Sequence, residues 1–280
     1  MMKPDQRTAS LPEIVAVSTV DLADRRESFV AMVQSLPSDV RLVVVVRGSV
    51  EVDEDLRAML PSHTSVIRVP TAGLSRARNL ALREIASWEL ADSAVIAFPD
   101  DDCTWDRSTG PTLQREFVDP ALGLLLGRYR PVDEDFLPDV YPSVESPLSP
   151  RVVMKRSASI IVFTRVSTAL QLYFDEELGV GARYPSAEDS DFALRALALC
   201  GSGRYAPDVV CYHRYEHVPD PSRKIIAGYI MARHLWTFPS LMLPTGRWLL
   251  RRLRHGPNRQ RAFGLVVKGL TSPKRHHPVH

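Results

Sequence analysis

At 280 residues the chain can hold one large α/β domain, or one such domain with an extension, and its 45% hydrophobic and 24% charged residues are those of an ordinary globular protein. Three cysteines (Cys103, Cys200, Cys211) are too few and too irregularly spaced for a disulfide framework or a zinc knuckle, so a reducing compartment fits best. The net charge of +2 hides an asymmetry: residues 221–280 carry 12 Lys/Arg and no Asp or Glu, leaving 23 basic against 33 acidic residues before them.

The start, MMKPDQRTASLPE, lacks the apolar core of a signal peptide, and no window approaches about 18 uninterrupted apolar residues. The expectation is a cytoplasmic protein, with peripheral contact at the inner face of a membrane left open by the basic segment.

Residues 13–19 (EIVAVST) and 41–46 (RLVVVV) are β-branched runs of the kind buried in a parallel sheet. Between them, Leu22, Phe29, Val30, Val33 and Leu36 share a helical face, and a second helix is expected over about 52–60. Ser65–Val69 reads as a third strand, Leu74–Ser87 as a helix, and Ala94–Phe98 as a fourth strand cut off by Pro99. Such alternation predicts a mostly parallel, doubly wound sheet, whose ligands sit beyond the carboxyl ends of its strands. Further along, 122–128 is expected as a strand, the proline- and acid-rich stretch 131–150 as a long loop, and 157–163 as a strand. Ser186–Cys200 reads as a helix stopped by Gly201, and Tyr205–Tyr212 as a last strand closing on His213.

Three motifs could carry chemistry. FPDDDCTWD (98–106) puts Asp100, Asp101 and Asp102 directly after a buried strand, where adjacent carboxylates repel one another and a hard divalent cation would relieve them. A solvated acidic turn or a helix cap accounts for the same run. AEDSDFALRAL (187–197) places Glu188, Asp189 and Asp191 in a helical first turn, where the helix dipole alone favours acids. A positioned carboxylate there could equally take a proton from an acceptor hydroxyl. Arg195 falls four residues after Asp191, the spacing of a helix-surface ion pair.

TAGLSRARNLAL (71–82) sets Ser75, Arg76, Arg78 and Asn79 at a helix start, a favourable place for phosphate, although solvated arginines have the same look. His213 could join carboxylates around a metal, with His217 a weaker candidate, but a lone histidine is more often a packed side chain. Trp105 and Tyr184 could stack on a base or a sugar, and packing is the plainer job for each.

In the order GLSRARN, FPDDDC, FDEELGVGARYPSAEDSDFALRA and YAPDVVCYH, these segments resemble the family 2 glycosyltransferases of the GT-A fold, over about residues 13–217. The resemblance implies transfer of a sugar, with inversion, from a nucleotide-diphosphate sugar to a hydroxyl of a saccharide or lipid-linked acceptor. It implies Mn²⁺ or Mg²⁺ as cofactor, and a membrane contact through the basic C-terminal segment would suit a place in cell-surface polysaccharide or glycolipid assembly. Asp100 takes the ribose-side role, Asp101 lies between, Asp102 holds the metal with His213, and Asp189 of the Glu188-Asp189 pair is the base. Arg76, Arg78, Asn79 and Thr19 fall on the donor side.

One departure concerns the base. Family members often carry an Asp at the end of the second strand, whereas here that strand ends Val46-Arg47-Gly48-Ser49. Uridine, guanosine and thymidine donors all stay open.

These features divide the chain into a catalytic domain over 1–220 and a basic helical extension over 221–280. RWLLRRLRHG, within the extension, has the composition of an interfacial amphipathic helix drawn to anionic lipid; a helical lid on the catalytic domain is the alternative. No recognisable nucleic-acid-binding module accompanies the charge. Competing functions are a binding-only relative of the transferases and, less well supported, a nucleotidyltransferase. The latter normally shows a Gly-rich phosphate loop with a Lys after the first strand, which STVDLADRR lacks.

Overall fold

A computed structural model describes residues 11–132, 141–213, 221–255 and 259–272. Its first half alternates β1 (Ile14–Asp21), α1 (Leu22–Ser35), β2 (Arg41–Arg47), α2 (Glu54–Met59), β3 (Thr64–Val69), α3 (Leu74–Ile85) and β4 (Val95–Ala97). The four strands are parallel, in the order β3-β2-β1-β4. Period-2 alternation explains why β2 is apolar on both faces. Val43 and Val45 belong to the core under α3, while Leu42, Val44 and Val46 belong to the core under α1 and α2. Asp21 and Asp53 accept from Ala23 and Leu56 N–H and so start α1 and α2.

The second half extends the same sheet. It comprises β5 (Cys103–Trp105), α4 (Thr109–Glu116), β6 (Leu124–Pro131), β7 (Ser146–Pro147), α5 (Pro150–Arg156), β8 (Val162–Arg165), α6 (Val166–Leu172), α7 (Glu188–Cys200) and β9 (Arg204–His213). The sheet order is β3-β2-β1-β4-β8-β6-β9-β5, with β7 paired to β9. Strands β1, β2, β3, β4, β6 and β9 run one way; β8, β5 and β7 run against them. The fold is therefore α/β with a mixed, mostly parallel sheet.

The strand expected over 157–163 begins only at Val162; Ser159–Ile161 form a 3₁₀ turn instead. An apolar β-branched run reads alike in both conformations. Within the expected loop 131–150, residues 133–140 lie outside the described residues, as does His217. Gly201 ends α7 in the left-handed conformation, at φ +72°.

Three helices follow: α8 (Pro221–Arg233), α9 (Met242–His255) and α10 (Arg259–Thr271). Ile225, Ile226, Tyr229 and Ile230 of α8 share one core with Phe192, Ala193 and Leu197 of α7. Glycines let the other two helices come close. A Cβ at Gly228 would stand 2.3 Å from the Trp248 ring, and one at Gly269 would stand 2.5 Å from the Tyr229 carbonyl oxygen. Among the described residues, no helix is long and apolar enough to cross a membrane.

Candidate active site

The site lies at the carboxyl edge of the parallel strands. After β4 the chain passes Phe98 and Pro99, makes the acidic turn 100–102, and enters β5. That strand pairs antiparallel with the end of β9, Cys103 opposite His213. Asp102, one residue earlier, is thereby brought to His213, whose Nε2 lies 2.9 Å from Asp102 Oδ1. Arg25 of α1 pairs with the other carboxylate oxygen of Asp102. The His213 hydrogen bond, with the charges of His213 and Arg25, outweighs burial and holds Asp102 down at about 2. Asp101 moves the other way, to about 6, through burial and then the charges of Asp102 and Asp100. Neighbouring carboxyls thus sit in opposite electrostatic states.

A second cluster forms around Arg78 of α3. Its side chain is 2% exposed, an unusual depth for a guanidinium. One arm donates to Asp100 Oδ1 at 3.0 Å, the other to Asp189 Oδ1 at 3.4 Å, and Glu188 Oε1 stands 4.0 Å away. The Phe174 ring lies 5.2 Å from the guanidinium carbon. Arg78 therefore joins the acidic turn after β4 to the first turn of α7. Burial, then the charge of Glu188, pushes the Asp189 carboxyl up, although its side chain keeps 22% exposure; Arg78 opposes the shift. The Ser159 backbone N–H, on the same side, also favours the ionised Asp189.

The glycine-rich stretch before α7 packs onto the start of α3. Gly179 has φ +100°, and a Cβ there would fall 3.0 Å from Ser75 Oγ and 3.1 Å from Glu188 Cδ. Ser75 donates to the Leu178 carbonyl at 2.6 Å, and Leu74 N–H to the Val180 carbonyl at 2.9 Å. Asn79, 3% exposed, donates to the Phe174 carbonyl and to Glu176, and accepts from Phe174 N–H at 2.7 Å. Ala187, immediately before Glu188, is held at φ +72°, a strained conformation for a residue with a Cβ. Truncating Asn79 strips this loop of its clamp. Asn79→Ala is expected to cost about 2 kcal/mol, read as a lowered urea midpoint, because buried partners lose their hydrogen bonds.

The structure thus brings together Arg78, Asp100, Glu188 and Asp189, and beside them Asp101, Asp102 and His213. Arg76 is exposed on the solvent side of α3. Thr19 is buried near the end of β1, its Oγ1 without a hydrogen-bond partner, like Ser18 Oγ beside it. Arg47 stands opposite Asp21 in the β1–β2 register, so the carboxylate at this edge comes from the first strand. Trp105 packs edge-on against Phe163 and Tyr184 stacks on Tyr229, with ring centroids 5.7 Å and 5.2 Å apart.

Two features escaped the sequence. Arg25 reads as a solvated helix residue, and nothing in ADRRES points to Asp102. Behind the site, Asp191 is fully buried: Arg195 Nε donates to it at 2.8 Å, His234 Nε2 lies 2.9 Å away, and Arg233 lies at 3.5 Å while donating to Asp175 at 2.7 Å. The Asp191–Arg195 pair has the expected spacing; Arg233, at the end of α8, and His234, just after it, have no local signal.

Asp102 and His213 supply a carboxylate and an imidazole on one side of a surface, a donor set that suits Mn²⁺ or Mg²⁺ sharing its remaining positions with water and phosphate. Among the described residues, no three His, Cys, Asp or Glu side chains form a self-sufficient metal cage.

No protein-family profile matches the sequence, and neither does any curated protein. Solved structures do match in fold. Staphylococcus aureus TarS 1-349 in complex with UDP superposes with a TM-score of 0.63 at 15% identity, over 92% of this chain and 81% of that one. The same TarS fragment in complex with UDP-GlcNAc gives 0.59 at 16%, with the same coverage. The mannosyltransferase PcManGT from Pyrobaculum calidifontis, in complex with GDP-Man and Mn²⁺, gives 0.53 at 15%, over 95% and 77%. The chain shares the GT-A fold with these glycosyltransferases.

Proposed function

We propose that the chain is an inverting, metal-dependent glycosyltransferase that moves a sugar from a nucleotide-diphosphate sugar to a hydroxyl of a saccharide or lipid-linked acceptor, at the cytoplasmic face of cell-surface polysaccharide or glycolipid assembly. The observation that carries this reading is the buried Arg78, which draws the acidic turn after β4 and the first turn of α7 to one point. Donor and acceptor chemistry need both at once.

Asp100 and Thr19 face the nucleoside side and Asp189 the acceptor. The acceptor hydroxyl attacks the anomeric carbon, the bond to the diphosphate oxygen breaks, and Asp189 takes the hydroxyl proton. Arg78 holds Asp189 in place and favours its ionised form. Asp102 and His213 would hold Mn²⁺ or Mg²⁺, which supplies Lewis-acid stabilisation of the departing diphosphate. Asp101, poised at about 6, gains a reason to ionise when a cation binds beside it.

A thermal-shift panel of UDP, GDP, dTDP and their sugars, with and without Mn²⁺, tests the reading. One nucleotide should raise the melting temperature in a Mn²⁺-dependent way, and its sugar should be turned over. No shift by any nucleotide would sink the proposal; a shift without turnover would leave a binding module.

A further inference from the structure

The C-terminal helices expose apolar surface that the fold does not use. Helix α10 buries Ala262, Leu265, Val266 and Gly269 against α8, yet Phe263, Val267 and Leu270 point to solvent at 54%, 42% and 38% exposure. Their i, i+4, i+7 spacing makes a second stripe along the helix, rotated away from the packed one. Trp236, 74% exposed, extends it: its indole N–H donates to the Leu270 carbonyl at 3.4 Å. On α9, docked through Trp248 in the Gly228 notch, Met242, Leu243 and Leu250 are likewise exposed.

Charge says what covers this surface. Residues 221–280 hold 12 Lys/Arg and no acid, and Arg247, Arg251, Arg254, Arg259 and Arg261 are exposed among the apolar side chains. Bare apolar stripes interspersed with cations, on helices that carry no acid, suit a plane that is apolar inside and negative at its face. A 13-residue helix spans about 20 Å, short of the ~30 Å hydrocarbon layer, so it would lie in the interface.

We infer that α9, α10 and Trp236 form a membrane-docking face for anionic lipid, with Phe263, Val267, Leu270 and Trp236 entering the headgroup boundary and the exposed arginines meeting phosphate. This inference stands independently of the proposed chemistry, since none of these residues touches the donor site. It also places the weight on α10, rather than on the 247–254 run that the sequence singles out.

Flotation of the full chain with vesicles of phosphatidylcholine alone, or of phosphatidylcholine with phosphatidylglycerol, tests it. Binding should need the anionic lipid and should weaken at least about tenfold as salt rises from about 0.1 to 1 M, where screening shortens to a few ångströms. Phe263→Gln with Val267→Gln, both surface changes, should lower the partition coefficient at least tenfold with an unchanged melting temperature. Arg259→Gln with Arg261→Gln should lower it while flattening the salt dependence. Failure to bind anionic vesicles at low salt overturns the proposal, as does equal binding to neutral ones. So does a sedimentation profile in which Phe263→Gln dissolves a dimer while vesicles bind neither protein; the stripe would then be a contact between two copies.

Discussion

Asp189→Asn is expected to cut sugar transfer at least about a hundredfold at saturating donor and acceptor, the lower range for loss of a positioned general base. The amide keeps the shape of the carboxyl, and its one acceptor oxygen can still receive Arg78; the negative charge and the capacity to take a proton are lost. Asp102→Ala should cost a similar factor for another reason, and nucleotide binding separates the two. Asp189→Asn keeps the Mn²⁺-dependent thermal shift with nucleotide, whereas Asp102→Ala abolishes it. Near-full turnover in Asp189→Asn would remove Asp189 from the role of base. The pH profile offers a second check. Burial and Glu188 raise the Asp189 carboxyl, and the base must be ionised, so kcat/KM should climb with pH at values above the ordinary carboxylate range. A kcat/KM profile already flat there would mean that the base is ionised in the free enzyme and that its carboxyl is not raised.

The parallel half of the fold was legible because a strand buried on both faces leaves an uninterrupted apolar run. RLVVVV can hardly be anything else between two helical patterns. Strands β6 and β9 and helix α7 were legible in the same way, but β5 was not, since it is three residues long and draws its stability from pairing with β9 rather than from its own composition. Missing β5 meant missing why Asp102 meets His213. The acidic runs were readable as candidates, and their convergence was not: it depends on Arg78, which as sequence is one of three arginines on a helix and acquires its role only when packing hides it from water.

The network behind the site carries the largest expected effect on stability. Asp191 is fully buried with Arg195, His234 and Arg233 around it, and it fastens α7, the helix that presents Asp189, to the C-terminal helices. Asp191→Ala leaves buried cations uncompensated and should destabilise the protein by about 3–5 kcal/mol, the range for breaking a buried ion pair from one side. The sign with pH follows from the carboxyl. Burial opposes its ionisation, and Arg195, then His234 and Arg233, overcome that and hold it well below the usual range. A depressed carboxyl contributes stability that is complete above its unfolded value, near 4, and is lost as pH falls further. The gap between wild type and Asp191→Ala, measured by urea unfolding, should therefore be full at pH 7 and shrink in acid below about pH 4. A small gap that does not change with pH would mean that the helix is held by its apolar contacts with Ile225, Ile226 and Tyr229, and that the carboxylate is a passenger. Because α7 and α8 share both the charge network and one core, loosening Asp191 should also misplace Asp189. Residual activity in Asp191→Ala should then fall in kcat more than in donor affinity, since the acidic turn after β4 is anchored separately through Asp102 and His213.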